Sequence, residues 1–133
     1  MAFYADTSAL VKLVAAEQET QAFQAWRQQN HLDLVSGDLA RTELLRAARK
    51  LTPAHVHVAK EVLASVRLLR IGERVFEKAA TLDPPSLRSL DAIHLASALD
   101  LGPDLEGIVT YDKRLADAAT LNALRVVSPG ADL

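Results

Sequence analysis

The chain has 133 residues, half of them hydrophobic, which excludes a disordered composition and predicts one compact domain over 1–133, since domains usually hold about 100–150 residues. Its formal net charge of −2 supplies no global positive field, which counts against a sequence-reading DNA binder but leaves room for an enzyme that meets phosphates through bound cations. Cysteine is absent, so disulfides and thiolate metal sites are excluded, and a reducing cytoplasm is the expected compartment.

No apolar run reaches the roughly 18 residues of a membrane span, and the opening Met1-Ala2-Phe3-Tyr4-Ala5-Asp6 lacks the basic start and cleavage site of a signal peptide. Ala2–Ala5 reads as a buried strand ending sharply in Asp6-Thr7-Ser8, a run of helix-capping residues. Leu10, Leu13 and Val14 mark an amphipathic helix, Ala22, Phe23 and Trp26 a second, and a short strand is expected around Leu32–Ser36.

From Asp38 to Leu51, the residues Ala40, Leu44, Ala47, Ala48 and Leu51 form one helical stripe, and Thr52-Pro53 opens another helix with proline at its first position. Arg67–Ile71 reads as a strand and the region of Val75–Ala80 as a helix. Asp83-Pro84-Pro85-Ser86 must be a loop. Ser89 is expected to cap the helix of Leu90, Ile93, His94 and Ala98, which Gly102-Pro103 ends. A strand at Glu106–Thr110, a helix at Asp112–Thr120 and a strand at Arg125–Val127 complete the order. Strand and helix alternate without hairpin turns, which predicts an α/β fold: a central parallel sheet of four to five short strands covered by helices on both faces.

In open parallel sheets ligands bind beyond the carboxyl ends of the strands. Asp6 and Asp112 stand at such ends, and Asp91 lies in the first turn of a helix that opens on the same edge. Glu43 falls on the border of the apolar stripe, where a carboxylate costs stability unless it is paired or metal-bound. Each acid also has a plain structural reading. Asp6 and Asp112 serve equally as N-caps, Asp91 as a first-turn acid complementing the helix dipole, and Glu43 as a salt-bridge partner of Arg46 or Lys50. Together, carboxylates gathered at one edge repel one another and call for a cation. Oxygen donors without Cys or a His cluster suit Mg²⁺ or Mn²⁺, and such sites serve phosphoryl chemistry. The basic run Arg41, Arg46, Arg49 and Lys50 reads either as a phosphate-facing patch or as a solvated helix face.

The motifs resemble a known family. Phe3-Tyr4-Ala5-Asp6-Thr7-Ser8-Ala9-Leu10 resembles the opening of PIN-domain proteins, especially the VapC-type toxins of bacterial toxin–antitoxin pairs. Thr42-Glu43-Leu44, Leu90-Asp91-Ala92-Ile93-His94-Leu95-Ala96-Ser97-Ala98 and Val109-Thr110-Tyr111-Asp112-Lys113-Arg114-Leu115 match its later motifs, in order. The resemblance implies a Mg²⁺- or Mn²⁺-dependent endoribonuclease that leaves a 5′-phosphate and a 3′-hydroxyl. Asp6, Glu43, Asp91 and Asp112 are then its metal-binding acids, Asp6 and Asp91 as direct ligands and Glu43 and Asp112 partly through water. Thr7 and Thr110 become supporting hydroxyls, with helix capping the favoured role for Ser8, and Arg41, Lys113 and Arg114 become candidate phosphate contacts. It further implies a homodimer, a VapB-type antitoxin partner, an RNA substrate, and contact with DNA only through that antitoxin.

Asp117 competes with Asp112 but reads most simply as an exposed helix acid. A haloacid-dehalogenase phosphatase needs a second acid where Ser8 stands, a receiver domain needs an acid pair before its phosphorylated Asp, and no dinucleotide or P-loop glycine motif is present. His55 and His57 point to different sides of one helix and cannot act together. His94, three after Asp91, reads as a hydrogen-bonded histidine packed inside the helix. The alternative from another class is a PIN-like module that has lost catalysis and only binds protein or RNA, which four intact acids argue against.

Overall fold

The computed structural model describes residues 2–30 and 33–133. Its element order is β1 (Ala2–Ala5), α1 (Thr7–Val14), α2 (Thr20–Asn30), β2 (Asp33–Gly37), α3 (Leu39–Arg49), α4 (Pro53–Ser65), β3 (Arg67–Leu69), α5 (Glu73–Ala80), α6 (Ser89–Leu99), β4 (Leu105–Val109), α7 (Lys113–Leu121) and β5 (Val126–Val127). His31 and the expected strand start at Leu32 lie outside the described residues.

The five strands form one parallel sheet in the order β3-β2-β1-β4-β5. β1 is central and wholly buried, which explains why its sequence is continuously apolar rather than alternating. Its side chains divide between two cores with the period of two that a strand imposes. Phe3 and Ala5 join Leu10, Leu34, Leu44 and Leu63 under α1, α3 and α4. Ala2 and Tyr4 join Val35, Leu95, Ile108 and Leu115 under α6 and α7. The α/β expectation therefore holds, with helices on both faces. The strict alternation does not: α1 and α2, α3 and α4, and α5 and α6 follow one another without an intervening strand. Among the described residues, no helix is long and apolar enough to cross a membrane.

The strand order matters for function. The chain builds outward from β1 to β2 and β3, then returns to add β4 and β5 on the other side. The carboxyl ends of β1 and β4 thus flank the point where the winding reverses, and the crevice of an open α/β sheet forms there. Asp6 follows β1 and Asp112 follows β4 by three residues.

The β1–β4 pairing is irregular between Ala2 and Phe3, after which Phe3 faces Gly107. A Cβ on Gly107 would stand 2.9 Å from both the Arg125 carbonyl oxygen and Phe3 Cε1, so the two strands close on β5 only because no side chain is there. We expect Gly107→Ala to cost about 1–3 kcal/mol through overpacking, seen as a lower urea midpoint. An unchanged midpoint would mean that the β1–β4–β5 seam has slack absent from this packing.

Candidate functional site

Asp6 ends the central strand and caps α1, its Oδ1 accepting from the Ala9 amide at 3.1 Å. The same carboxylate is only 4% exposed and is held by two hydroxyls. Ser8 Oγ donates to Oδ1 at 2.7 Å, and Thr110 Oγ1 donates to Oδ2 at 2.8 Å. Ser8 in turn accepts from the Tyr111 amide, and Thr110 from the Asp112 amide. These bonds tie the end of β1 to the turn after β4. Ser8, whose favoured reading was helix capping, is instead a clamp on Asp6; the cap is Asp6 itself. Burial pushes the Asp6 carboxyl up to about 6 from its ordinary 3.8, against the opposing effects of Ser8, His94, Thr110 and the Ala9 amide.

Glu43 lies on the first turns of α3. Its partners are neither Arg46 nor Lys50. Thr7 Oγ1 donates to Glu43 Oε1 at 2.6 Å, and His94 Nε2 lies 2.6 Å from the same oxygen. Burial acts to raise the Glu43 carboxyl, yet the hydrogen bonds from His94 and Thr7 outweigh it and hold the group below its ordinary range.

Asp91 and Asp112 face each other across Arg88. Arg88 Nε is 3.4 Å from Asp91 Oδ2, and a terminal nitrogen is 3.8 Å from Asp112 Oδ2. Asp112 caps α7 through Oδ1, which accepts from the Arg114 and Leu115 amides. Burial and then the charge of Asp112 raise the Asp91 carboxyl, with Arg88 opposing. Ser89 does not cap α6: Arg88 is the capping residue and makes no side-chain cap bond.

His94 connects the two halves of the site. It is 3% exposed, as expected for a hydrogen-bonded histidine inside the helix, and its ring lies close enough to Asp6, Glu43 and Asp91 to influence all three. All four acids are thereby linked by direct contact or electrostatic effect. They are not drawn into a ready cage: among the described residues, no group of three or more His, Asp or Glu side chains is arranged to hold a metal ion. The donor chemistry nevertheless suits a hard cation. Asp91 Oδ2 is buried without a well-aligned hydrogen bond, beside a second carboxylate that opposes its ionisation. Arg88, whose Nε lies 3.4 Å away as an ion-pair partner, is the positive charge at that place.

The proposed phosphate contacts are dispersed. Arg114 lines a groove of about 590 Å³ together with Leu87, Arg88, Asp91, Asp117 and Leu121. Lys113 is paired with Asp117 at 3.0 Å on the exposed face of α7. Arg41 pairs with Asp38 and opens on a separate hollow beside Lys60 and Leu68. A larger cleft of about 750 Å³, between α2 and α4, contains none of the acids. Sequence reasoning missed Arg88 and Tyr4. Arg88 stands three residues before Asp91, and Tyr4 places a hydroxyl in an otherwise apolar central strand that must find a partner.

The sequence profile of the PIN domain matches residues 3–121. The chain belongs to the PIN-domain family. This PIN domain is 41% identical over 128 residues to Ribonuclease VapC46 of Mycobacterium tuberculosis, covering 96% of this chain and 98% of the relative. Its fold is shared with a toxin–antitoxin complex from Klebsiella pneumoniae (TM-score 0.74, 22% identity, 99% and 100% of the two chains). VapBC2 from Rickettsia felis, bound to a promoter DNA fragment, has the same fold at 9% identity (TM-score 0.75, 97% and 99% of the chains).

The buried Asp6 makes the stability of this PIN domain depend on pH. With its folded pKa above the unfolded one, the folded state holds the proton more tightly between about pH 4 and 6. The stability it contributes is therefore present in acid and lost as pH rises through 6, a change on the order of 3 kcal/mol. We expect metal-free Asp6→Asn to gain urea resistance over wild type as pH climbs from 4 to 7. A gap between the two proteins that stays flat over this range would show that Asp6 ionises normally.

Proposed function

We propose that this PIN domain is the toxin of a VapBC-type toxin–antitoxin pair, a cytoplasmic endoribonuclease that hydrolyses RNA phosphodiester bonds with Mg²⁺ or Mn²⁺. The observation that carries the reading is the buried Asp91 Oδ2 beside Asp112 at the switch-point edge, met among the described residues only by the solvent-exposed Arg88. VapC46 is named a ribonuclease and matches this chain along nearly its whole length. The toxin–antitoxin structures of the same fold support an antitoxin partner. The exposed apolar side chains Phe76 and Leu90 suit the homodimer that the family resemblance implies, and DNA enters only through the antitoxin.

In this reading Asp91 and Asp112 hold the cation, with Asp6 and Glu43 completing its surroundings directly or through water. When bound, the cation lowers the pKa of a water and offsets phosphate charge. Asp6 keeps the ends of β1 and β4 at fixed separation, and Thr110 and Thr7 orient Asp6 and Glu43. Arg114, and Arg88 once the cation replaces it, face the phosphate backbone from the groove. Lys113 and Arg41 are outlying contacts for the same backbone.

We expect Asp91→Asn to lower Mn²⁺-dependent cleavage of a cellular RNA pool by about two orders of magnitude or more, because it removes cation charge stabilisation. Its melting temperature should hold or rise, since the repulsion by Asp112 is gone. Wild-type cleavage rates in the variant would end the assignment of Asp91, and cutting that persists in excess EDTA would point to histidine chemistry or a contaminant.

Expression alone should arrest bacterial growth, and co-expression of the neighbouring antitoxin frame should restore it. Unimpeded growth would remove the toxin role while leaving the nuclease.

A further inference from the structure

Behind Glu43 lies a buried polar chain that the proposed reaction does not use. Gly37 N donates to Tyr4 Oη at 2.9 Å, Tyr4 Oη is 2.8 Å from His94 Nδ1, and His94 Nε2 is 2.6 Å from Glu43 Oε1. Tyr4 is fully buried and His94 is 3% exposed. Such atoms must be satisfied within the protein.

The direction of the chain follows from its first member. The Gly37 amide can only donate, so it occupies an acceptor position on the Tyr4 oxygen. The Tyr4 proton needs an acceptor, and His94 Nδ1 lies 2.8 Å away, while the Ser97 and Ser36 hydroxyls beside the same oxygen can act as donors to it. An Nδ1 that accepts leaves the ring proton on Nε2. Nε2–H then donates to Glu43, whose Oε1 also accepts from Thr7. Both bonds fall on Oε1, and among the described residues none falls on Oε2.

We propose that Tyr4 and His94 are positioning residues: a buried brace, anchored on the β2 backbone, that holds Glu43 by Oε1 and reserves Oε2 for the cation. This rests on the metallonuclease reading above. Outer partners of metal-binding groups act in this way, and their loss typically costs about 10–100-fold in affinity. The brace also accounts for Gly37. A Cβ there would lie 2.8 Å from Tyr4 Oη and 3.2 Å from Ser97 Oγ, so any side chain would push the hydroxyl off its place.

The test is Mn²⁺ binding to the whole protein without RNA, followed by calorimetry and by the electron spin resonance signal of free Mn²⁺. Melting temperatures and the ¹⁵N spectrum of His94 are recorded alongside. Tyr4→Phe and His94→Leu should each raise the Mn²⁺ dissociation constant at least about tenfold. His94→Gln, whose amide keeps a donor near the Nε2 position, should stay within about threefold of wild type, which a purely structural histidine has no reason to do. The His94 spectrum of the wild type should be that of the Nε2–H tautomer.

Equal dissociation constants in all four proteins, whatever their melting temperatures, would overturn the brace while leaving the cation site. An Nδ1–H tautomer in the wild type would overturn its stated direction and with it the inference. A wild type that binds no Mn²⁺ would instead defeat the metallonuclease reading, and the brace would have no cation to serve.

Discussion

A carboxylate buried at the end of the central strand sets the terms for the rest of this structure. Asp6 cannot be solvated where it stands, and an ionised group in such a place is tolerated only when its lone pairs are taken up. The chain answers with the α1 amide of Ala9 and the hydroxyls of Ser8 and Thr110. Each of those hydroxyls then accepts a backbone amide from the turn after β4. Two strands far apart in sequence are thereby fixed to one another at the edge where the winding reverses. The remaining acids take their places from this join: Asp112 because its own amide is held by Thr110, and Asp91 because α6 packs beside β4 and α7.

The charge balance of the site depends on the same geometry. Burial and the charge of Asp112 make Asp91 harder to ionise, and Arg88 at 3.4 Å from Asp91 and 3.8 Å from Asp112 relieves only part of it. The guanidinium is 63% exposed and meets Asp91 Oδ2 only at 3.4 Å. An exposed arginine at that separation contributes little stability. A divalent cation, compact and doubly charged, satisfies two facing carboxylates better than a side chain reaching in from solvent.

Much of the architecture was legible in the residues because parallel sheets leave a strong signature. The continuous apolar run of Ala2–Ala5 declared a strand buried on both faces, and Thr52-Pro53 marked its helix start through known capping chemistry, with Thr52 Oγ1 accepting from the His55 amide. Pairings across the fold were not legible. Nothing in the spacing joins Glu43 to His94, 51 residues away, so the sequence offered nearby Arg46 and Lys50 instead. Ser89 was misread because a serine at a helix start usually caps it, whereas here the chain enters α6 one residue earlier at Arg88. The four acids could be placed on one edge by topology and family motif, but their individual hydrogen bonds depend on which side chains the packed helices bring opposite them.

The choice between capping and function, which the sequence poses for each acid, turns out to be a choice between oxygens. Asp112 spends Oδ1 on two helix amides and presents Oδ2 to Arg88. Glu43 takes its two bonds on Oε1 alone, whereas among the described residues Asp91 is held by no hydrogen-bonded oxygen and meets only the Arg88 ion pair. Only Asp6 has both oxygens engaged by protein donors. A carboxylate fixed through one oxygen has lost its rotamer freedom before any ligand arrives, so the ordering cost of binding is already met by folding. In the proposed metal-dependent reading, capping at Asp112 and the His94 bond at Glu43 are the means by which a helix terminus and a buried histidine aim the second oxygen. A site built this way needs no cage of three ligands in advance. It needs oxygens that are already still, and a charge to bring them together.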